Sequence, residues 1–134
     1  MAAKSYTHDD NVINFFLRAN PGALTSPATV YVGLFTVAPT NPGDAGTEVS
    51  TGGGSLYART AVTFGAPVNG VASNSAPVTF PTAGASWTTV VAAGIFDMAS
   101  GGTLLYYGTL GSSKTIDPGD TASFAVGQLS VTEQ

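Results

Sequence analysis

The strongest hydrophobic pattern in the chain lies between Ala85 and Leu110, ASWTTVVAAGIFDMASGGTLLYYGTL. Trp87 to Met98 reads as a strand, in which successive side chains point to opposite faces. Trp87, Thr89, Val91, Ala93, Ile95 and Asp97 fall on one face; Thr88, Val90, Ala92, Gly94, Phe96 and Met98 fall on the other. Both sets are mostly apolar, so the strand is expected to be covered on both sides for much of its length. Ala99-Ser100-Gly101-Gly102 separates it from a second apolar run, Thr103 to Leu110. Paired glycines between two such runs predict a hairpin, because glycine takes the positive φ of a tight turn. The rest of the core is expected to pack on this hairpin.

Elsewhere the pattern is helical only near the start. After an arm, residues 1–7, the stretch 8–19 (HDDNVINFFLRA) places Val12, Phe15, Phe16 and Ala19 on one face. Thr7 is the expected N-cap, with Asp9 and Asp10 complementing the helix dipole and Asn20-Pro21-Gly22 ending the helix. A helix this short needs its aromatic face docked to be stable. Thr29 to Val37 reads as a strand, and Ala38 to Ser55 as a long loop, used either for contact or only as a connection. Leu56 to Phe64 alternates, with Tyr57, Arg59, Ala61 and Thr63 on the expected outer face. Pro77–Pro81, Lys114–Asp117, Thr121–Val126 and Gln128–Thr132 complete the strands. Gly111-Ser112-Ser113 reads as a turn, Asp117-Pro118-Gly119-Asp120 as a type II turn, and Gly127 as a bulge. Seven to nine short strands predict a mainly β fold: an antiparallel β-sandwich of jelly-roll or Greek-key type with one short N-terminal α-helix. It is expected to form one domain over 1–134, with the sandwich spanning 29–132.

Composition narrows the function classes. Charged residues make up 9% of the chain, against ~25% in an average domain. The net charge is −4, and Lys4, Arg18, Arg59 and Lys114 are scattered. Without a basic stripe, phosphate-driven nucleic-acid binding is not expected. A surface so poor in charge suits a protein held against another protein. There is no cysteine, which excludes disulfides and thiol chemistry. No run is long and apolar enough to span a membrane, and MAAKSYTHDD lacks the pattern of a signal peptide, so a soluble product of a cytoplasm is expected.

Catalytic groups are sparse. His8 is the only histidine and reads as a solvated cap residue. Asp9 and Asp10 point about 100° apart on a helix, which suits the dipole better than a metal. Asp117 and Asp120 flank a turn with too few side-chain oxygens for calcium. Thr51-Gly52-Gly53-Gly54-Ser55 lacks the lysine of a phosphate loop and reads as a flexible turn. Asp97 follows an apolar run and needs a partner, for which Arg59 is the nearest cation in the middle of the chain. Tyr57, Trp87, Tyr106 and Tyr107 suit a core or a subunit interface better than a sugar platform. No enzyme activity, catalytic residue, metal or cofactor is expected. The residues expected to make assembly contacts are Tyr6, Phe15, Phe16, Tyr57, Arg59, Trp87, Tyr106 and Tyr107.

The segments VGLFT (32–36), GTEVSTGGGSLYAR (46–59), NSAPVTFP (74–81), GIFD (94–97), SGGTLLYYG (100–108) and SKTIDPGDTASFAVGQLSVT (113–132), in this order, resemble small virion proteins of tailed bacteriophages. Proteins of this group are often labelled tail fibre proteins, and some resemble capsid decoration, or cement, proteins. The resemblance implies a structural virion role and supplies no functional residue. With no repeat or coiled coil of a fibre shaft in the chain, decoration of the head surface is the expected role. The major capsid protein would then be the partner, with a homo-oligomer at a symmetry axis, made in the bacterial host cytoplasm. The alternative is a tail-associated module that binds a host receptor or glycan.

Overall fold

The structure, a computed structural model, describes residues 3–40 and 45–133. It is built on the predicted hairpin. Strands β7 (Thr88–Phe96) and β8 (Leu104–Ile116) are antiparallel, and β7 pairs on its other side with β2 (Val30–Thr40). Two short strands, β3 (Ala45–Glu48) and β4 (Thr60–Val62), pair with β2, and β1 (Ala3–Lys4) pairs with β8. These six strands form one antiparallel sheet in the order β1-β8-β7-β2-β3, with β4 also on β2. Two smaller pairs complete the β structure: β5 (Val71–Ser73) with β10 (Ser130–Thr132), and β6 (Val78–Thr79) with β9 (Ser123–Phe124). The fold is thus mainly antiparallel β with a single short helix, α1 (Tyr6–Leu17), as the sequence implies.

The principal core lies between one face of the large sheet and these small pairs. Val32, Leu34, Val90, Ala93 and Ile95 from the sheet meet Val78, Phe80, Leu129, Tyr57 and Trp87. The opposite face is closed differently. Gly33 and Gly94 sit directly across from each other on β2 and β7. The rings of Phe35 and Phe96 lie nearly parallel, 6.0 Å apart and 15° between planes. A Cβ on Gly33 would lie 2.8 Å from the Phe96 ring, and one on Gly94 would lie 2.9 Å from the Phe35 ring. The two glycines therefore let the rings lie down on the sheet, shielding backbone that a larger residue would hold apart.

Several local readings are corrected. The helix begins at Tyr6 with Ser5 as its N-cap, in place of a helix over 8–19 capped by Thr7. Pairing of Ala3 and Lys4 with β8 fixes the chain up to Ser5, so the helix starts as soon as the strand ends. The stretch 38–55 contains the end of β2 and all of β3; its residues 41–44, with Asn41 and Asp44, lie outside the described residues. Leu56 has φ 59°, which breaks the predicted alternation: Leu56 is exposed and Tyr57 is buried. Gly111-Ser112-Ser113 does not turn the chain. Val90 pairs with Lys114 and Ala92 with Thr109, so the intervening residues form a bulge within one long β8. The same irregularity at Val91 puts Val90 on the principal-core face with Ala93 and Ile95. The 117–120 turn forms as predicted, with Gly119 at φ 91° and the Asp120 amide donating to the Asp117 carbonyl at 3.0 Å. Gly127 lies in a turn, in which the Gln128 amide donates to the Ala125 carbonyl.

Candidate assembly surface

Of the eight residues expected at an assembly contact, three lie inside the subunit. Trp87 is 2% exposed, and its indole Nε1 donates to the Ser55 carbonyl at 2.8 Å. Tyr57 stands edge-on to Trp87 with ring centroids 5.4 Å apart, and Tyr107 is buried as well. A buried aromatic with a satisfied polar atom is a core residue, so these three make no outward contact and no sugar platform. The sequence signal for them, strong aromatics on strands, is the same for core and for interface.

Arg59 is also spent internally, but not on Asp97. Its Nε and Nη2 donate to the two Glu48 carboxylate oxygens at 2.9 and 2.8 Å. Its Nη1 donates to the Met98 and Gly101 carbonyls at 3.0 and 2.7 Å. The guanidinium lies 3.4 Å from the centroid of the Phe96 ring. One side chain thus ties β3 to the tip of the β7–β8 hairpin, using the fork geometry that suits a carboxylate. Glu48 Oε1 also accepts from the Tyr57 hydroxyl at 2.6 Å, and that hydroxyl accepts from the Leu34 amide at 2.9 Å. Burial, with the Glu48 carboxylate beside it, pushes the Tyr57 phenol well above its ordinary range. Asp97 instead accepts from the Thr103 amide at 2.7 Å, across the hairpin turn. Choosing between Glu48 and Asp97 needs the β2–β3 pairing, which no local pattern reveals.

Tyr106 belongs to a clasp between the two ends of the described chain. Its hydroxyl donates to Glu133 Oε2 at 2.7 Å, while Lys4 Nζ reaches Glu133 Oε1 at 2.5 Å and Asp9 at 3.4 Å. Burial pushes the Tyr106 phenol up, and the Glu133 carboxylate adds to this. Hydrogen bonding to Glu133 raises Lys4. Partial burial acts to raise Glu133, but the hydrogen bonds from Lys4 and Tyr106 outweigh it and hold the carboxyl below its ordinary value. His8, expected to be solvated, stands edge-on to the Tyr106 ring at 5.2 Å, and burial holds its imidazole below the ordinary value. Ser5 roots the helix here: its hydroxyl accepts from the His8 amide and donates to the Leu104 carbonyl, and its amide donates to the Leu105 carbonyl.

Asn74 is a second buried polar residue the sequence does not announce. Its Nδ2 donates to the Ala76 and Ala125 carbonyls at 2.9 and 3.0 Å, and its Oδ1 accepts from the Leu129 amide at 2.9 Å. It pins the 125–129 turn beside the core. Among the described residues no buried side-chain nitrogen or oxygen lacks a partner.

Tyr6, Phe15 and Phe16 remain, and the structure brings them together on α1. Phe15 is half-buried with its ring edge-on to Phe16 at 4.9 Å. Phe16 is 70% exposed, and Tyr6 is exposed too. Two residues that the reading passed over, Ile13 and Leu17, share this outer face, and Leu17 is 79% exposed. Residues 6, 13 and 17 fall along one stripe, with 16 beside it. The predicted docking face is therefore split: Val12 and Phe15 lean inward, while Phe16 points out with Ile13 and Leu17. From Tyr6 to Thr29 no residue is buried. The apolar spacing was visible in the sequence, but which side of the helix faced the sheet was not.

Residues 3–132 match the family described as Podophage GP4 fiber I protein gp80. The chain belongs to this family. It is accordingly a phage virion protein of the fibre type, and the resemblance to small tailed-phage virion proteins holds over almost the whole chain. No curated protein matches it. No helix among the described residues is long and apolar enough to cross a membrane. For a member of the gp80 family, an uncovered apolar helix joined to a closed β body is the arrangement a contact protein needs.

Proposed function

We propose that the chain is a non-enzymatic structural subunit of the phage tail fibre apparatus, held in the virion through its Tyr6–Thr29 excursion. The observation that carries this is the exposed stripe of Tyr6, Ile13, Phe16 and Leu17 on a segment without a buried residue. Apolar surface concentrated on one element of a water-facing protein marks a contact site. The ionisable groups support the non-enzymatic reading. Lys4, Asp9 and Glu133 are joined in the clasp, Glu48 and Arg59 bond each other, and His8 rests on Tyr106. The family name favours the fibre placement.

Decoration of the head across major capsid subunits is the second reading. It is favoured by the absence of a repeated shaft element: one 12-residue helix and one sheet body make up the described structure. Co-sedimentation with isolated tails and, separately, with empty expanded heads distinguishes the two. Saturable binding to tails, reduced by Phe16→Ser with Leu17→Ser, is the expected result. Saturable binding to heads at a fixed ratio would move the protein to the head surface. Binding to neither would overturn the virion-contact role of the excursion.

A further inference from the structure

The surface carries an apolar groove as well as an apolar stripe. The groove has a volume of about 420 Å³ and is lined by Val30, Phe64, Ala72, Ile95, Leu105 and Val131 among others. Its floor, Ile95, belongs to the principal core, and its rim includes Tyr106 and Glu133 of the clasp. The stripe begins where the groove ends, because Ser5, which caps the helix, is bonded to Leu105, a groove residue. Each copy of the chain therefore presents a projecting apolar element and an apolar recess side by side.

We propose that Ile13, Phe16 and Leu17 of one copy seat in the Phe64–Ala72–Val131 groove of a second copy. This rests on the reading of the excursion as a contact surface and names its partner. Area argues for a like partner. The bare parts of Tyr6, Ile13, Phe16 and Leu17 amount to on the order of 450 Å², short of the ~800 Å² that each side contributes to a specific interface. A foreign protein that covered only the stripe would leave the contact undersized. Exchange between copies engages stripe and groove of each chain and brings every subunit up to the required area. Charge does not oppose it: the stripe is uncharged, and the chain carries only −4 overall. Closed exchange of this kind makes a cyclic assembly, with two copies as its smallest form.

The experiment is sedimentation velocity on the full chain, together with directed cross-linking. The natural chain should self-associate with increasing concentration. Phe16→Ser with Leu17→Ser should weaken that association roughly 100-fold and leave thermal unfolding of the dilute protein unchanged. Because the chain has no cysteine, mixing Phe16→Cys chains with Ala72→Cys chains should give a covalent pair on mild oxidation, and Phe16→Cys mixed with a cysteine on Lys114 should not. A protein that stays monomeric at high micromolar concentration overturns the proposal. So does an oligomer that survives the double serine substitution, or cross-linking no better at Ala72 than at Lys114. None of those outcomes touches binding to tails or heads, which is measured separately.

Discussion

Trp87 and Leu17 stand at opposite extremes of the same chain. Around Trp87 the large side chains interlock: Tyr57 and Phe80 meet it edge-on, its nitrogen is bonded to Ser55, and it is 2% exposed. Around Leu17 nothing has closed, although the residue is as apolar as any in the core. Burying such a side chain is worth about 1.5–3 kcal/mol, so the fold leaves several such contributions unclaimed along one helix. The sheet body is stabilised from within, whereas the helix hangs from it by Ser5, the β1 pairing and the clasp. The contrast shows that stability and contact have been given to different segments.

The sharpest way to break the contrast is at its rigid end. Trp87→Ala should cost about 3–5 kcal/mol, read as a fall in the urea midpoint; a loss under ~1 kcal/mol would show that the body is not rooted there. Glu48→Ala strands the Arg59 guanidinium and takes a partner from the Tyr57 hydroxyl. The expected loss is about 3 kcal/mol, with faster amide exchange at the tip of the β7–β8 hairpin than in β2. Equal exchange at both places would mean that Arg59 does not tie the hairpin tip. Ser5→Ala sits at the joint. It should cost about 1 kcal/mol and lower helical circular dichroism while the near-ultraviolet signal of Trp87 is kept.

Acid should act on the joint in the same way, and more gently. His8 is held below its ordinary value of 6.5, so the unfolded chain binds its proton first, and the contribution of neutral His8 fades as pH falls below 6.5. Glu133 is held below its ordinary value of 4.5, so its contribution is present above that pH and is lost as acid protonates it. Lys4 is raised above 10.5, and its part is complete below that pH and lost in alkali. Chemical shifts of α1 should therefore move between pH 7 and pH 4 before those of β7 do. Simultaneous movement would show one cooperative unit. The smallest effect belongs to Leu17→Ser, expected within ~0.5 kcal/mol of the natural stability. A larger loss would mean that the helix packs more closely than its exposure indicates.

The parts of this contrast that the sequence discloses are those written in local chemistry. Gly101-Gly102 between apolar runs reveals the hairpin, and Pro118-Gly119 reveals its turn, because the required φ values belong to those residues. Leu56 defeats the reading for the opposite reason: a positive φ at a branched residue has no sequence signature and reverses which neighbour faces the core. Ser112 and Ser113 look like turn residues, yet they form a bulge because the pairing with β7 resumes beyond them. Arg59 needed a partner, and the sequence offered Asp97, but strand pairing delivers Glu48. The outward side of α1 was equally hidden, since Val12, Phe15 and Phe16 differ only in how the helix rolls against the sheet.

The bulge in β8 has a further consequence. Beyond the two residues covered by β1, the outer edge of β8 has no strand beside it, and an uninterrupted edge would accept strands from other chains without limit. The looped residues between Thr109 and Lys114 spoil that template, and Lys114 adds a charge to it. Newly made chains at high concentration can therefore wait for their partners in solution without growing into fibrils, and the number of copies in any complex is left to side-chain fit rather than to the endless repeat of the backbone.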